Sequence, residues 1–155
     1  MAPTTAPPVT PPAPTTAPTA TAPAGWVLGY ARRDLTPGAT NPAVTQATIR
    51  TTICVSGWTS TVRPSSTYTN GLKTTGIRAY GYADTNPASV EEDHLVALGS
   101  GGSPTDPRNL WPQPRYGTVT AAVKDAEEQR LQTDICAGRI TLAAAQARIV
   151  QEWSR

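Results

Sequence analysis

Residues 88–137 read ASVEEDHLVALGSGGSPTDPRNLWPQPRYGTVTAAVKDAEEQRLQTDICA, and this stretch decides the fold. SVEEDHLVAL has strand character around Val90 and again over Leu95–Leu98. Residues 99–109, GSGGSPTDPRN, are a loop by their Gly, Ser, Pro and Asp content. Asn109-Leu110-Trp111 predicts a short return strand, ended by Pro112 and Pro114. Residues 118–138, TVTAAVKDAEEQRLQTDICAG, predict a helix stopped by Gly138 in a left-handed conformation. The order is strand, long loop, strand, helix.

Working outward, the clearest element lies downstream. Thr141 is an N-cap, and Leu142, Ala145, Ile149 and Trp153 fall on one apolar stripe of a terminal helix, about residues 141–153. Upstream signals are fainter. Asn41-Pro42 suggests a short helix with Asn as cap and Pro at its first position. Ser66 suggests the cap of another, running through Tyr68, Leu72, Ile77 and Tyr80, although Gly71 and Gly76 inside it would each cost ~1 kcal/mol.

The first 24 residues are different in kind. They hold 8 Pro, 7 Thr and 7 Ala and none of the chain's charges, so they lack the apolar surface to offset their ordering entropy and are expected to be a disordered tail or linker. One domain is expected over residues 25–155. No apolar run is long enough to span a membrane. Two cysteines exclude a Cys-rich zinc module, and a single histidine excludes any site needing two or three His ligands.

Met1 is followed by no basic cluster and no apolar leader segment. Yet a Pro/Thr/Ala tract before a folded domain is typical of a stalk or linker in exported bacterial proteins, so a secreted or cell-envelope location is expected. Cys54 and Cys136 fit that expectation as a disulfide, which would destabilise the unfolded chain by about 4–5 kcal/mol; two buried thiols are the other reading. Net charge is only +2, but residues 25–90 carry six basic and two acidic groups, whereas residues 91–155 carry seven basic and nine acidic ones. Such a division suits a phosphate-facing surface beside a cation-binding one, and equally two solvated faces.

Chemistry concentrates around the only histidine, His94, directly after Asp93. Neighbours on a strand point to opposite faces, so a bend or bulge is needed for the two to share a site. A neutral imidazole accepts a proton near pH 7, and a hard cation such as Mg²⁺ prefers one or two carboxylates plus phosphate oxygens. One base and one metal suffice to hydrolyse a phosphodiester.

The run DHLVALGSGGSPTDPRNL, residues 93–110, resembles the first two thirds of the HNH, or ββα-metal, nuclease motif: Asp-His, a Gly-Gly loop, then Asn-Leu and a helix. TICVSGWTSTVRP, YGYADTNPASVEEDHL, NLWPQP, KDAEEQRL and ICAG…LAAAQARIVQEW are similar to a group of bacterial and phage HNH-like proteins, many exported; the resemblance spans roughly residues 44–153. It implies that His94 is the general base, Asp93 a metal ligand, and Asn109 the residue that pins the loop and orients the His. It implies an α+β fold: a small ββα-metal unit, about residues 88–137, with additional packed helices. The implied activity is metal-dependent endonucleolytic hydrolysis of DNA, the expected substrate ahead of RNA, with Mg²⁺ first and Mn²⁺ second as cation. The alternatives are a catalytically inactive HNH-like nucleic-acid-binding domain and an exported cell-surface domain. An immunity or inhibitor protein is a further possible partner that no motif identifies.

The chain departs from that pattern at three points. Ala97 stands where the family usually has Pro, the zinc-binding Cys pairs are missing, and the helix lacks the final His or Asn. It offers Lys124, Asp125, Glu127 and Glu128 instead. Glu128 shares a helix face with Leu131 and Ile135, which makes it the first candidate for the second ligand and Asp125 the next. Lys124 suits a pair with Glu128 or a contact to a substrate phosphate; Arg108 and Arg115, flanking the return strand, are weaker phosphate candidates.

Overall fold

Val90–His94 (β1) and Leu110–Pro114 (β2) pair antiparallel in unbroken register, from Val90 opposite Pro114 to His94 opposite Leu110. The computed structural model describes residues 27–155; the Pro/Thr/Ala-rich segment expected to be disordered lies outside the described residues. Strand β2 runs through both prolines that were expected to end it. The reason is which way its backbone faces. Arg115 N donates to Ser89 O at 3.0 Å and Asn109 O accepts from Leu95 N at 2.8 Å, so odd positions bond to β1. Even positions face away: Pro112 O accepts from the Tyr82 hydroxyl at 2.9 Å, and Arg108 O accepts from Gly38 N at 2.9 Å. Pro112 and Pro114 lack an N–H only where the ladder needs none.

The strand expected to resume at Leu95–Leu98 does not form. Val96 N and Val96 O are both bonded by the side chain of Asn109 rather than by a neighbouring strand, and the chain then closes a single 3₁₀ turn, Leu98–Ser100. The Asn41-Pro42 helix is absent as well. Asn41 Oδ1 accepts from Ala43 N at 3.0 Å and Asn41 O from Val44 N, a side-chain-stabilised turn that competes with helix nucleation.

Four helices complete the described chain: Trp58–Val62 (α1), Ser66–Tyr80 (α2), Ala121–Cys136 (α3) and Leu142–Trp153 (α4). The cap of α2 is Ser65, one residue earlier than expected, whose hydroxyl accepts from Tyr68 N. Gly76 inside α2 has a packing reason, since a Cβ there would meet Pro112 of β2 at 3.0 Å; Gly71 faces open space. Gly138 ends α3 at φ +74°, with its N–H on Ile135 O and that of Arg139 on Asp134 O. Thr141 caps α4 by accepting from Ala144 N, and the expected stripe of Leu142, Ala145, Ile149 and Trp153 is buried.

The fold is α+β, with Trp111, Leu95, Leu131, Ile135 and Ile149 at the centre of one core. Ala31 bridges to Ser154, closing the beginning of the described chain on its end. Cys54 and Cys136 form a disulfide that ties the segment before α1 to the last residue of α3. Among the described residues no helix is long and apolar enough to cross a membrane.

Candidate active site

Asn109 immediately precedes β2 and is fully buried. Its Oδ1 accepts from Val96 N at 2.9 Å and Ala39 N at 3.3 Å, and its Nδ2 donates to Val96 O at 3.0 Å and Ser103 O at 2.9 Å. All four hydrogen-bonding capacities of the amide are used, and both ends of the 95–109 loop hang on one side chain. Gly102 lies inside this clasp. A Cβ there would fall 1.7 Å from Val96 O, so only glycine fits.

The loop in turn holds His94. Its Nε2 lies 3.0 Å from Pro104 O. A carbonyl only accepts, so Nε2 carries the hydrogen and, in the neutral ring, Nδ1 keeps the lone pair. Burial lowers the imidazole pKa, and the Pro104 contact and the Asp93 charge oppose that shift while Arg63 and Lys124 reinforce it. The side chain is only 5% exposed. A neutral ring with Nδ1 as acceptor is the state a general base requires.

No bulge brings Asp93 and His94 onto one face; the regular register keeps them apart. Asp93 instead reaches α3. Lys124 Nζ donates to Asp93 Oδ2 at 2.7 Å, to His94 O at 2.6 Å and to Glu128 Oε1. The Lys124 side chain is wholly buried, so its ammonium has spent its three donors inside the protein. It pairs with Glu128 as expected, but in this arrangement has no donor left for a substrate phosphate.

The carboxylates around that ammonium are electrostatically stressed. Burial raises the Glu128 pKa; Lys124 opposes the shift, and Asp93 and Asp125 add to it. Burial also raises Asp125, with Asp93 adding and Lys124, Arg115 and Arg63 opposing. For Lys124, burial acts to lower the pKa, but Asp93 and Glu128 outweigh it and hold the ammonium charged.

Asp125 and Glu128 line a cleft of about 310 Å³, together with Thr59 and Arg63 of the α1 region, Gly99 and Gln132. Arg63 is the residue that the linear reading missed. It is exposed, it acts electrostatically on both His94 and Asp125, and it comes from a segment distant in sequence. It lies directly after α1, within the stretch TICVSGWTSTVRP, which shares the resemblance but assigns Arg63 no role. Arg115 pairs with Glu91 at 3.0 Å and acts on Asp125. Arg108 is not part of this cluster: it pairs with Asp106 at 2.6 Å and lines a larger open groove, about 950 Å³, against the outer face of α4. That groove contains none of Asp93, His94, Asp125 or Glu128, whereas the smaller cleft is lined by Asp125 and Glu128 but by neither Asp93 nor His94.

No protein-family model, curated protein or solved structure matches the chain.

A divalent cation is implied by the resemblance, and the donor chemistry accommodates one. Asp93 and Glu128 come from different elements yet converge on a single cation, the Lys124 ammonium, and both supply hard oxygen donors. Among the described residues no three His, Cys, Asp or Glu side chains gather into a cage. A cation here would be held by one or two carboxylates, with water and phosphate oxygens completing its shell.

Proposed function

We propose that the chain is a metal-dependent endonuclease of the HNH, ββα-metal kind, hydrolysing phosphodiester bonds in DNA. The observation that carries this reading is the His94–Pro104 contact, which makes Nδ1 the proton acceptor in a ring kept neutral by its burial. His94 takes a proton from water as that water attacks phosphorus. Asn109 keeps the 95–109 loop, and with it the Pro104 carbonyl, in place. Arg63 offers a planar guanidinium for two phosphate oxygens, and Arg115, paired with Glu91, also acts electrostatically on Asp125. Asp93, with Glu128 or Asp125, would hold Mg²⁺ or Mn²⁺. When bound, the cation supplies charge stabilisation at the leaving oxygen.

A secreted or envelope location belongs to the same proposal, supported by the disulfide, since such bonds persist in oxidising compartments. One observation favours a second reading, a non-catalytic nucleic-acid-binding domain on the same scaffold: Lys124 already neutralises the carboxylates that would hold the metal. Incubation of the full chain with plasmid DNA and with RNA, in Mg²⁺, in Mn²⁺ and in EDTA, separates the two. Metal-dependent nicking of DNA that His94→Ala loses supports the nuclease. Binding without cleavage in every metal supports the scaffold, and cleavage undiminished in His94→Ala overturns the assigned chemistry.

A further inference from the structure

The ammonium of Lys124 stands where two carboxylates from different elements meet. Its three donors go to Asp93 of β1, Glu128 one turn along α3, and the carbonyl of His94, so it joins the strand end to the helix as a ligated cation would. It has no solvent exposure and no spare donor. A divalent ion placed on the same oxygens would lie within a few ångströms of this positive charge, in a partly desolvated setting where screening is weak.

We propose that Lys124 is the resident counter-ion of the Asp93–Glu128 pair and competes with a divalent metal for it. Metal enters only as the ammonium leaves. The inference rests on the reading of Asp93 and Glu128 as the metal ligands. It makes Lys124 a residue that sets metal affinity, not one that touches substrate. Without metal, the lysine keeps two partly buried carboxylates from facing each other uncompensated. With metal present, the same lysine weakens binding, so the wild-type site loads only at high metal concentration.

The test replaces the charge and measures metal directly, with Mn²⁺ as the probe and no nucleic acid present. Full-length wild type, Lys124→Met and Lys124→Gln are titrated with Mn²⁺ by calorimetry and melted across the same Mn²⁺ range. Both variants are expected to bind Mn²⁺ at least tenfold more tightly than wild type, to melt lower than wild type without metal, and to regain stability as Mn²⁺ is added. Equal or weaker binding by the variants overturns the proposal, as does failure of both to fold even when refolded in Mn²⁺.

Wild type supplies a second measurement. The chain has two lysines, Lys73 and Lys124, so an amine-acetylating reagent followed by mass spectrometry reads Lys124 against Lys73 as internal control. Lys124 is expected to be protected without metal and to become reactive under Mn²⁺ that saturates the wild-type site. Continued protection of Lys124 in the Mn²⁺-saturated protein overturns the proposal. Tight Mn²⁺ binding by Lys124→Met in a protein that cleaves no nucleic acid would remove the nuclease reading and leave this one standing. Cleavage by a wild type whose lysine variants bind metal no better would do the reverse.

Discussion

At His94 the ring is buried while its Nε2 hydrogen is spent on a backbone carbonyl, and the two effects together select the neutral tautomer with Nδ1 as acceptor. His94→Ala is expected to lower cleavage by about 10²–10⁴, measured as initial nicking rate. Because burial lowers the imidazole pKa, the rising limb of the pH–rate profile should have its midpoint below 6.5. The sign for stability follows. The unfolded chain takes up the proton first as pH falls, so the contribution of the neutral ring is complete above about 6.5 and declines towards the lower folded value. Glu92 gives the opposite slope. Its Oε2 is buried with no hydrogen-bond partner, beside Leu72, Gly76 and Pro112, and burial pushes its carboxyl up to about 8, with Lys73 opposing and Asp93 adding. The folded acid stays neutral where the unfolded one ionises, so stability is lost between pH 4.5 and 8 as pH rises. Glu92→Gln, a permanently neutral mimic, is expected to melt with wild type at pH 4.5 and several degrees above it at pH 9, read by thermal circular dichroism.

Among the elements, the 95–109 loop depends most on a single side chain. Asn109→Ala removes four hydrogen bonds and leaves the buried Val96 amide and carbonyl unpaired, which should cost about 3 kcal/mol in denaturant melts. Activity should fall with it, because the Pro104 carbonyl that holds His94 belongs to the same loop. The two glycines of α2 make a matched pair. Gly71→Ala meets nothing within 4 Å and should stabilise by roughly 0.5–1 kcal/mol, whereas Gly76→Ala crowds Pro112 and should destabilise. Equal effects from the two would show that the α2–β2 contact is looser than described. Helices α3 and α4 were legible beforehand because periodicity and caps are local: Thr141, the α4 stripe and Gly138 act within one or two turns of themselves, whereas the short α1, Trp58–Val62, carries no such signal. Residues 95–98 and 41–43 depart from their local propensity because their backbone groups bond to side chains, those of Asn109 and Asn41 respectively, which propensity and period do not register.

For the whole molecule, the disulfide is the long-range tie that composition anticipated. It closes a separation of 82 residues between Cys54 and Cys136. Reduction is expected to lower unfolding free energy by about 4–5 kcal/mol, checked by denaturant melts with and without reductant. Thiol titration of the unfolded, unreduced protein should find no free sulfhydryl. The sequence by itself singled out the candidate residues: Asp93, His94, Asn109 and the acidic turn at residues 125–128 stand out by residue type, spacing and likeness to a known motif. It also determined the strand–loop–strand–helix order, since strand and helix patterning, turn residues and capping are properties of neighbouring side chains. Only the tertiary structure decided that Asp93 and Glu128 meet on Lys124, and that Arg63, some sixty residues before them, joins Asp125 and Glu128 in the cleft. The physical reason is that charge pairing across elements depends on where packing directs each side chain. A lysine at an i,i+4 step from a glutamate reads as a surface pair until the core turns that face of α3 inward.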